Sequence, residues 1–214
     1  MIEHKLYKIK EIFYTLQGEG THAGRPSVFC RFSGCNLWSG REQDRHKAIC
    51  QFCDTDFIGM DGLNGGNYSL EELCDKINSL WPNKDLGKPY VVCTGGEPLL
   101  QLDKPLIDRL HELNFEIAIE TNGTIIAPDG IDWVCVSPKS GSELVITKGN
   151  ELKIVYPQAD MNPLDYLALD FDYYFIQPMD NINVTENTKK AVLFCLKNPT
   201  FGLSLQIHKL LDIP

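Results

Sequence analysis

Strand-length apolar runs, each followed by polar turn residues, constrain this chain more than any other feature. They fall at residues 27–32, 90–93, 115–120, 133–136, 152–156 and 173–176, with a last one predicted at 203–206. Helical patterns stand between several of them. Ser69-x-x-Glu72 is a capping box that opens a helix over 69–81, with Leu70, Leu73, Ile77 and Leu80 on one face. Asp103 caps a second helix carrying Leu106, Ile107, Leu110 and Leu113, with Pro105 in its first turn. A third is predicted over 185–197, with Ala191, Val192, Cys195 and Leu196 as its apolar face. Near-continuous apolar strands alternating with helices imply a parallel sheet buried on both sides.

The spacing also says where the alternation fails. About ten residues, Pro128 and Gly130 among them, separate the strand ending at 120 from the one starting at 133. That barely meets the minimum for a strand–helix–strand crossover, so a helix is predicted to be lost there. The 214 residues also fall short of the ~250 typical of a full eight-fold barrel. The expected fold is therefore α/β, a modified, incomplete (open) βα barrel with mostly parallel strands. With 43% hydrophobic residues the chain supplies one core, and residues 1–214 are expected to form a single domain. Residues 64–67 are taken as a loop. No long apolar stretch or leader-like N-terminus is evident, which predicts a soluble, cytoplasmic protein. The formal charge of −9 argues against nucleic acid as a partner.

Cysteine placement separates two groups. Cys30, Cys93, Cys135 and Cys195 lie inside apolar runs and Cys74 lies mid-helix. All five read as small buried hydrophobes. Cys35, Cys50 and Cys53 are different: they share a loop over about 33–56 with spacing C-x14-C-x2-C. Three thiolates can hold an iron–sulfur cubane and leave one iron open to a small molecule. The same residues also permit a Cys₃His zinc site with His46, or a redox dithiol at Cys50-x-x-Cys53. The loop alone does not choose among these.

In a parallel sheet, chemistry belongs at the C-terminal ends of the strands. After the 90–93 run comes Thr94-Gly95-Gly96-Glu97-Pro98. Glu120-Thr121-Asn122-Gly123 follows the next, Ser137-Pro138-Lys139 the one after, and Gln177-Pro178-Met179-Asp180 the 173–176 run. Singly each is an ordinary turn; in phase with the cysteine loop they describe one site. Arg31 stands within an apolar strand, where an unpaired guanidinium is costly, so an anionic partner is expected for it.

The cysteine loop, Gly95-Gly96-Glu97-Pro98 and Glu120-Thr121-Asn122-Gly123 together resemble the radical S-adenosylmethionine (SAM) superfamily. The usual C-x3-C-x2-C motif of that superfamily is replaced here by the longer spacing. Tyr14-Thr15-Leu16-Gln17-Gly18-Glu19-Gly20, Phe29-Cys30-Arg31-Phe32, Gly34-Cys35-Asn36-Leu37-Trp38-Ser39-Gly40-Arg41 and Cys53-Asp54-Thr55-Asp56 are similar to the 7-carboxy-7-deazaguanine synthase family of queuosine biosynthesis. The similarity runs from about Lys10 to Pro214.

That resemblance implies a 4Fe–4S cluster on Cys35, Cys50 and Cys53, and SAM bound by Phe52, Gly96, Glu97, Ser137, Pro138, Lys139, Gln177, Pro178, Met179 and Asp180. Glu97 would meet the methionyl ammonium. It implies conversion of 6-carboxy-5,6,7,8-tetrahydropterin to 7-carboxy-7-deazaguanine with loss of ammonia, begun by hydrogen abstraction at C6, a carbon–nitrogen lyase with no catalytic residue beyond the cofactor radical. Leu16, Gln17, Gly18, Glu19, Arg31, Thr94, Glu120, His208 and Pro214 would contact the pterin, with Pro214 offering its α-carboxylate. Mg²⁺ would sit on Thr55, although hard-cation chemistry alone selects Asp54 or Asp56. An electron donor such as a flavodoxin and a homodimer are also implied. A zinc-stabilised binding module and a radical SAM activase are the competing readings.

Overall fold

The computed structural model describes residues 5–214. Nine strands form one sheet: β1 (Tyr7–Leu16), β2 (Pro26–Phe32), β3 (Gly66–Tyr68), β4 (Tyr90–Gly95), β5 (Glu116–Thr121), β6 (Trp133–Val136), β7 (Lys148–Tyr156), β8 (Asp170–Pro178) and β9 (Phe201–Leu203). Their order is β3-β1-β2-β4-β5-β6-β7-β8-β9. The sheet is mixed only at one end, where β1 pairs antiparallel with β2 and β3. From β2 to β9 every pairing is parallel. The first and last strands do not pair, so the barrel stays open, as expected.

Helices α1 (Leu70–Leu80), α2 (Lys104–Glu112) and α3 (Val184–Lys197) cover the outer face. Both sides of the Ser69–Glu72 capping box form, and Asp103 accepts the Leu106 N–H. Leu73, Cys74 and Ile77 of α1 meet Leu106, Ile107 and Leu110 of α2 over Val91, Cys93, Ile117 and Ile119. Cutting any of these fully buried aliphatics back to Ala costs about 2–5 kcal/mol. No helix joins β5 to β6, the loss that the short spacing required.

Four local expectations are corrected, and one strand, β1, stands where none was predicted. The charged strand β1 carries a bulge between Ile9 and Glu11, which breaks the two-residue alternation and buries Lys10 beside Ile9. Residues 66–68 are not loop but a short edge strand on β1. The last strand ends at Leu203, and a short helix α4 (Ile207–Leu211) follows. On α3 the buried residues are Asn187 and Ala191, with Phe194 and Cys195 packed beside them. Val192 and Leu196 are exposed, while Asn187 faces inward and donates to the Met179 carbonyl. Cys195 is accordingly only half-buried, whereas Cys30, Cys74, Cys93 and Cys135 are buried.

Candidate functional site

At the C-terminal ends of the strands lies a cavity of about 430 Å³. Cys35, Cys50 and Cys53 all line it. The loop that carries them is closed at its neck, where Gly34 N–H donates to the Phe57 carbonyl (3.2 Å) and Glu97 N–H donates to the Gly34 carbonyl (2.9 Å). Inside the long spacing, a 3-10 turn at Glu42–Lys47 sets Arg45 over the Trp38 ring at 4.0 Å. Arg45 also donates to the carbonyls of Gln51 and Cys53, so the extra residues are braced rather than slack.

The donor set fits an iron–sulfur cubane. Burial pushes all three thiols above their ordinary range, so three thiolates there call for a cation. Among the described residues no three His, Cys, Asp or Glu groups converge as ligands for a single ion. A cubane differs by spreading its three ligands over three irons. His46 is exposed on the 3-10 turn and is not in the cavity wall.

Gly96, Ser137, Lys139, Gln177, Pro178, Asp180 and Phe52 line the neighbouring wall. Lys139 donates to the Ser137 carbonyl and hydroxyl, and burial lowers its ammonium below the usual range. Three residues assigned to this wall lie outside it. Glu97 is fully buried behind it, where its carboxylate accepts from the Leu99 N–H, the Thr121 hydroxyl and the Asn122 N–H. Pro138 is buried, and Met179 is not among the lining residues, its thioether accepting from Asn181. Glu97 therefore braces the β4 and β5 ends; its neighbour Gly96 faces the cavity.

Leu16, Gln17, Gly18, Glu19, Arg31, Thr94, Glu120, His208 and Pro214, expected to contact the substrate, line the same cavity. Arg31 has the required anion inside the chain: its Nε donates to Glu11 at 2.7 Å. Burial lowers the His208 imidazole below its usual range. Thr55 lines the cavity between two aspartates that are already paired, Asp54 to Lys209 at 2.6 Å and Asp56 to Lys10 at 2.7 Å. Lys209 also pairs with Asp180, tying α4 to the loops after β2 and β8.

Sequence reasoning missed Lys153, Lys10 and Lys209. Lys153 had a visible signal, a lysine inside the apolar stretch of β7. Its Nζ lies 2.8 Å from Glu19 Oε2 and 2.8 Å from Glu120 Oε2, with only 3% of the side chain exposed. Burial opposes its charge, yet the surrounding thiol and carboxyl groups raise it well above the ordinary lysine range. Burial likewise opposes ionisation of Glu19, and Lys153 outweighs it, holding that carboxyl well below the usual range. Glu120 is pushed up, by burial first, against Lys153 and with Glu19 and Glu151 adding to it.

An open βα barrel that gathers a three-cysteine loop and four polar strand ends into one cavity defines the class of radical SAM enzymes. Residues 45–154 match the model of the Radical SAM superfamily, a span that includes Cys50 and Cys53 and begins after Cys35. The chain is 60% identical over 208 residues to the 7-carboxy-7-deazaguanine synthase of Bradyrhizobium diazoefficiens, covering 97% of this chain and 99% of that one. It is 57% identical over 209 residues to that of Burkholderia multivorans, with the same coverage. The crystal structure of QueE from Escherichia coli superposes with a TM-score of 0.71 at 28% identity over 96% of each chain. The chain belongs to the radical SAM superfamily and, within it, to the 7-carboxy-7-deazaguanine synthases. Membership carries a 4Fe–4S cluster and SAM as cofactors, and the zinc-module and activase readings give way to it. No helix of the described residues is long and apolar enough to cross a membrane.

Proposed function

We propose that this chain converts 6-carboxy-5,6,7,8-tetrahydropterin to 7-carboxy-7-deazaguanine with loss of ammonia, through hydrogen abstraction at C6 and ring contraction. The observation that carries this reading is one cavity lined both by three cysteines and by Arg31, Glu19 and Glu120. When bound, the cluster on Cys35, Cys50 and Cys53 and the SAM beside it supply a 5′-deoxyadenosyl radical. The protein's share is binding, orientation and exclusion of water. Gly96 and the Ser137, Lys139, Gln177, Pro178 and Asp180 segments would hold SAM, with Phe52 packing on its adenine.

Arg31 spends one N–H on Glu11, which leaves its outer nitrogens for the pterin carboxylate by charge-assisted hydrogen bonds. Gln17, Glu19 and Glu120 present acceptors to the ring N–H groups, with Thr94, His208 and Pro214 completing the wall. Thr55 would ligate Mg²⁺ together with the substrate. Both flanking aspartates are held by lysines, which supports the hydroxyl over the carboxylates. Mg²⁺ keeps waters and borrows ligands from substrate, so its binding would depend on the pterin. A single domain over 1–214, a homodimer, a cytoplasmic location and an electron donor such as a flavodoxin complete the proposal.

The test is anaerobic cluster reconstitution followed by reductant, SAM and the carboxytetrahydropterin. 5′-Deoxyadenosine and 7-carboxy-7-deazaguanine are expected to appear together. SAM cleavage with the pterin left intact would overturn the substrate.

A further inference from the structure

Gln17, Glu19, Glu120 and Lys153, all of which line the cavity, close into a ring of polar groups. Lys153 bonds one oxygen of Glu19 and one of Glu120. The other Glu120 oxygen accepts from Gln17 Nε2 at 3.2 Å, and the Gln17 amide oxygen accepts the Glu19 N–H at 3.1 Å. The second Glu19 oxygen accepts from Gln177 and Gln206, each at 3.0 Å. Glu151, buried and two residues before Lys153 on the same face of β7, accepts from the Thr21 N–H and the Cys135 thiol. Two carboxyl groups therefore hold one ammonium, and among the described residues that ammonium is the cation in contact with both Glu19 and Glu120.

A carboxylate only accepts hydrogen bonds, whereas a carboxylic acid also donates one. Two buried carboxylates left without a cation take up a proton between them. Removing the Lys153 charge would thus turn one acceptor into an O–H donor on a wall that faces ring N–H groups. We propose that Lys153 is the positioning residue of the substrate wall, fixing Glu19 and Glu120 as paired acceptors for the N–H edge of the reduced pterin. It acts through those carboxylates and rests on the substrate reading given above.

The test compares reconstituted wild-type protein with Lys153→Met, Glu120→Gln and the Lys153→Met/Glu120→Gln double variant. Equilibrium binding of the carboxytetrahydropterin is measured in the presence of SAM, beside KM for both molecules and the visible spectrum of the cluster. Lys153→Met is expected to weaken pterin binding roughly 30-fold or more and raise the pterin KM, with SAM affinity and the spectrum held within about twofold of wild type. The double variant is expected to bind no worse than Lys153→Met, since a neutral amide in place of the Glu120 carboxyl lets Glu19 stay ionised, a non-additivity that marks contact. Should Lys153→Met prove insoluble, Lys153→Gln decides in its place: pterin binding weakened about tenfold or more with SAM affinity unchanged supports the role, and wild-type pterin affinity overturns it. Wild-type pterin affinity in Lys153→Met, or a matching loss of SAM binding, overturns it too. Wild-type protein that cleaves SAM but neither binds nor converts the pterin overturns the substrate reading and this inference with it.

Discussion

Gly96 stands directly against Cys35: a Cβ on Gly96 would lie 2.8 Å from the Cys35 Cβ and 2.1 Å from the Gly34 carbonyl oxygen. The close approach lets the β4 end pin the neck of the cysteine loop through the Glu97–Gly34 bond. Gly96→Ala must push that neck away, and iron bound per chain after reconstitution is expected to fall below half of wild type. Full iron content in the variant would show that the neck yields freely.

The cysteine set makes a sharper test. Cys50→Ala is expected to lose the brown iron–sulfur absorbance and all SAM cleavage, while His46→Ala keeps both. The contrast follows from position, since Cys50 is buried in the cavity wall and His46 is exposed outside it. Metal loss on replacing His46 would return the loop to the zinc reading.

Arg31 gives a binding prediction. Arg31→Met leaves a buried carboxylate of the pterin unpaired, and its binding is expected to weaken by about 2–5 kcal/mol. Arg31→Lys should recover little, because one ammonium does not reproduce the fork that reaches Glu11 and a ligand at once. Titration of the pterin into each variant decides it; affinity equal to wild type in Arg31→Met removes the residue from the site.

For magnesium, the expected pattern is loss of Mg²⁺ stimulation in Thr55→Ala and its survival in Asp54→Asn and Asp56→Asn. Turnover measured with and without the ion separates them. The reverse pattern would transfer the ligand role to an aspartate.

A stability prediction concerns the far end of the sheet. Arg25 and Glu116 form a bidentate pair with both bonds at 2.8 Å. The Arg25 hydrogen bonds, against an opposing effect of burial, hold the Glu116 carboxyl below its ordinary range. A depressed folded value stabilises the protein above the unfolded value of about 4.3, and that gain is lost as pH falls through the folded value. Glu116→Gln should therefore destabilise the protein by roughly 1–3 kcal/mol at pH 7, with the gap closing toward pH 3. Urea midpoints across that range test it; a gap constant with pH would assign the loss to packing.

Arg31 and Lys153 show how far residues alone can be read. A cation inside an apolar strand announces a partner, and both have one. Which partner was not legible for Arg31, because Glu11 sits beside a bulge whose register no alternation reveals. The strand ends placed Gly96 and Glu97 together at the site, yet only the glycine faces it. Both lie past the end of β4, where Glu97 turns into the following 3-10 turn and its carboxylate finds three donors away from the cavity. The helix caps at Ser69 and Asp103, the missing helix and the cysteine loop were legible since each depends on local spacing. The lysine clamps on Asp54 and Asp56 were not, since each joins segments distant in the chain.

Thr15 donates to an oxygen of Pro214 at 2.9 Å across 199 residues of chain, and Ile207 N–H donates to the Gly18 carbonyl. Seen in time, the cavity is a late event. During synthesis the three cysteines leave the ribosome while most of the parallel sheet is still unmade, and the α4 segment that faces them follows roughly ten to thirty seconds afterwards. Through that interval the thiols have no enclosing wall and no shelter from oxygen. A chain stopped before Ile207 keeps all three cysteines and lacks the α4 residues His208 and Lys209 that line the cavity with them.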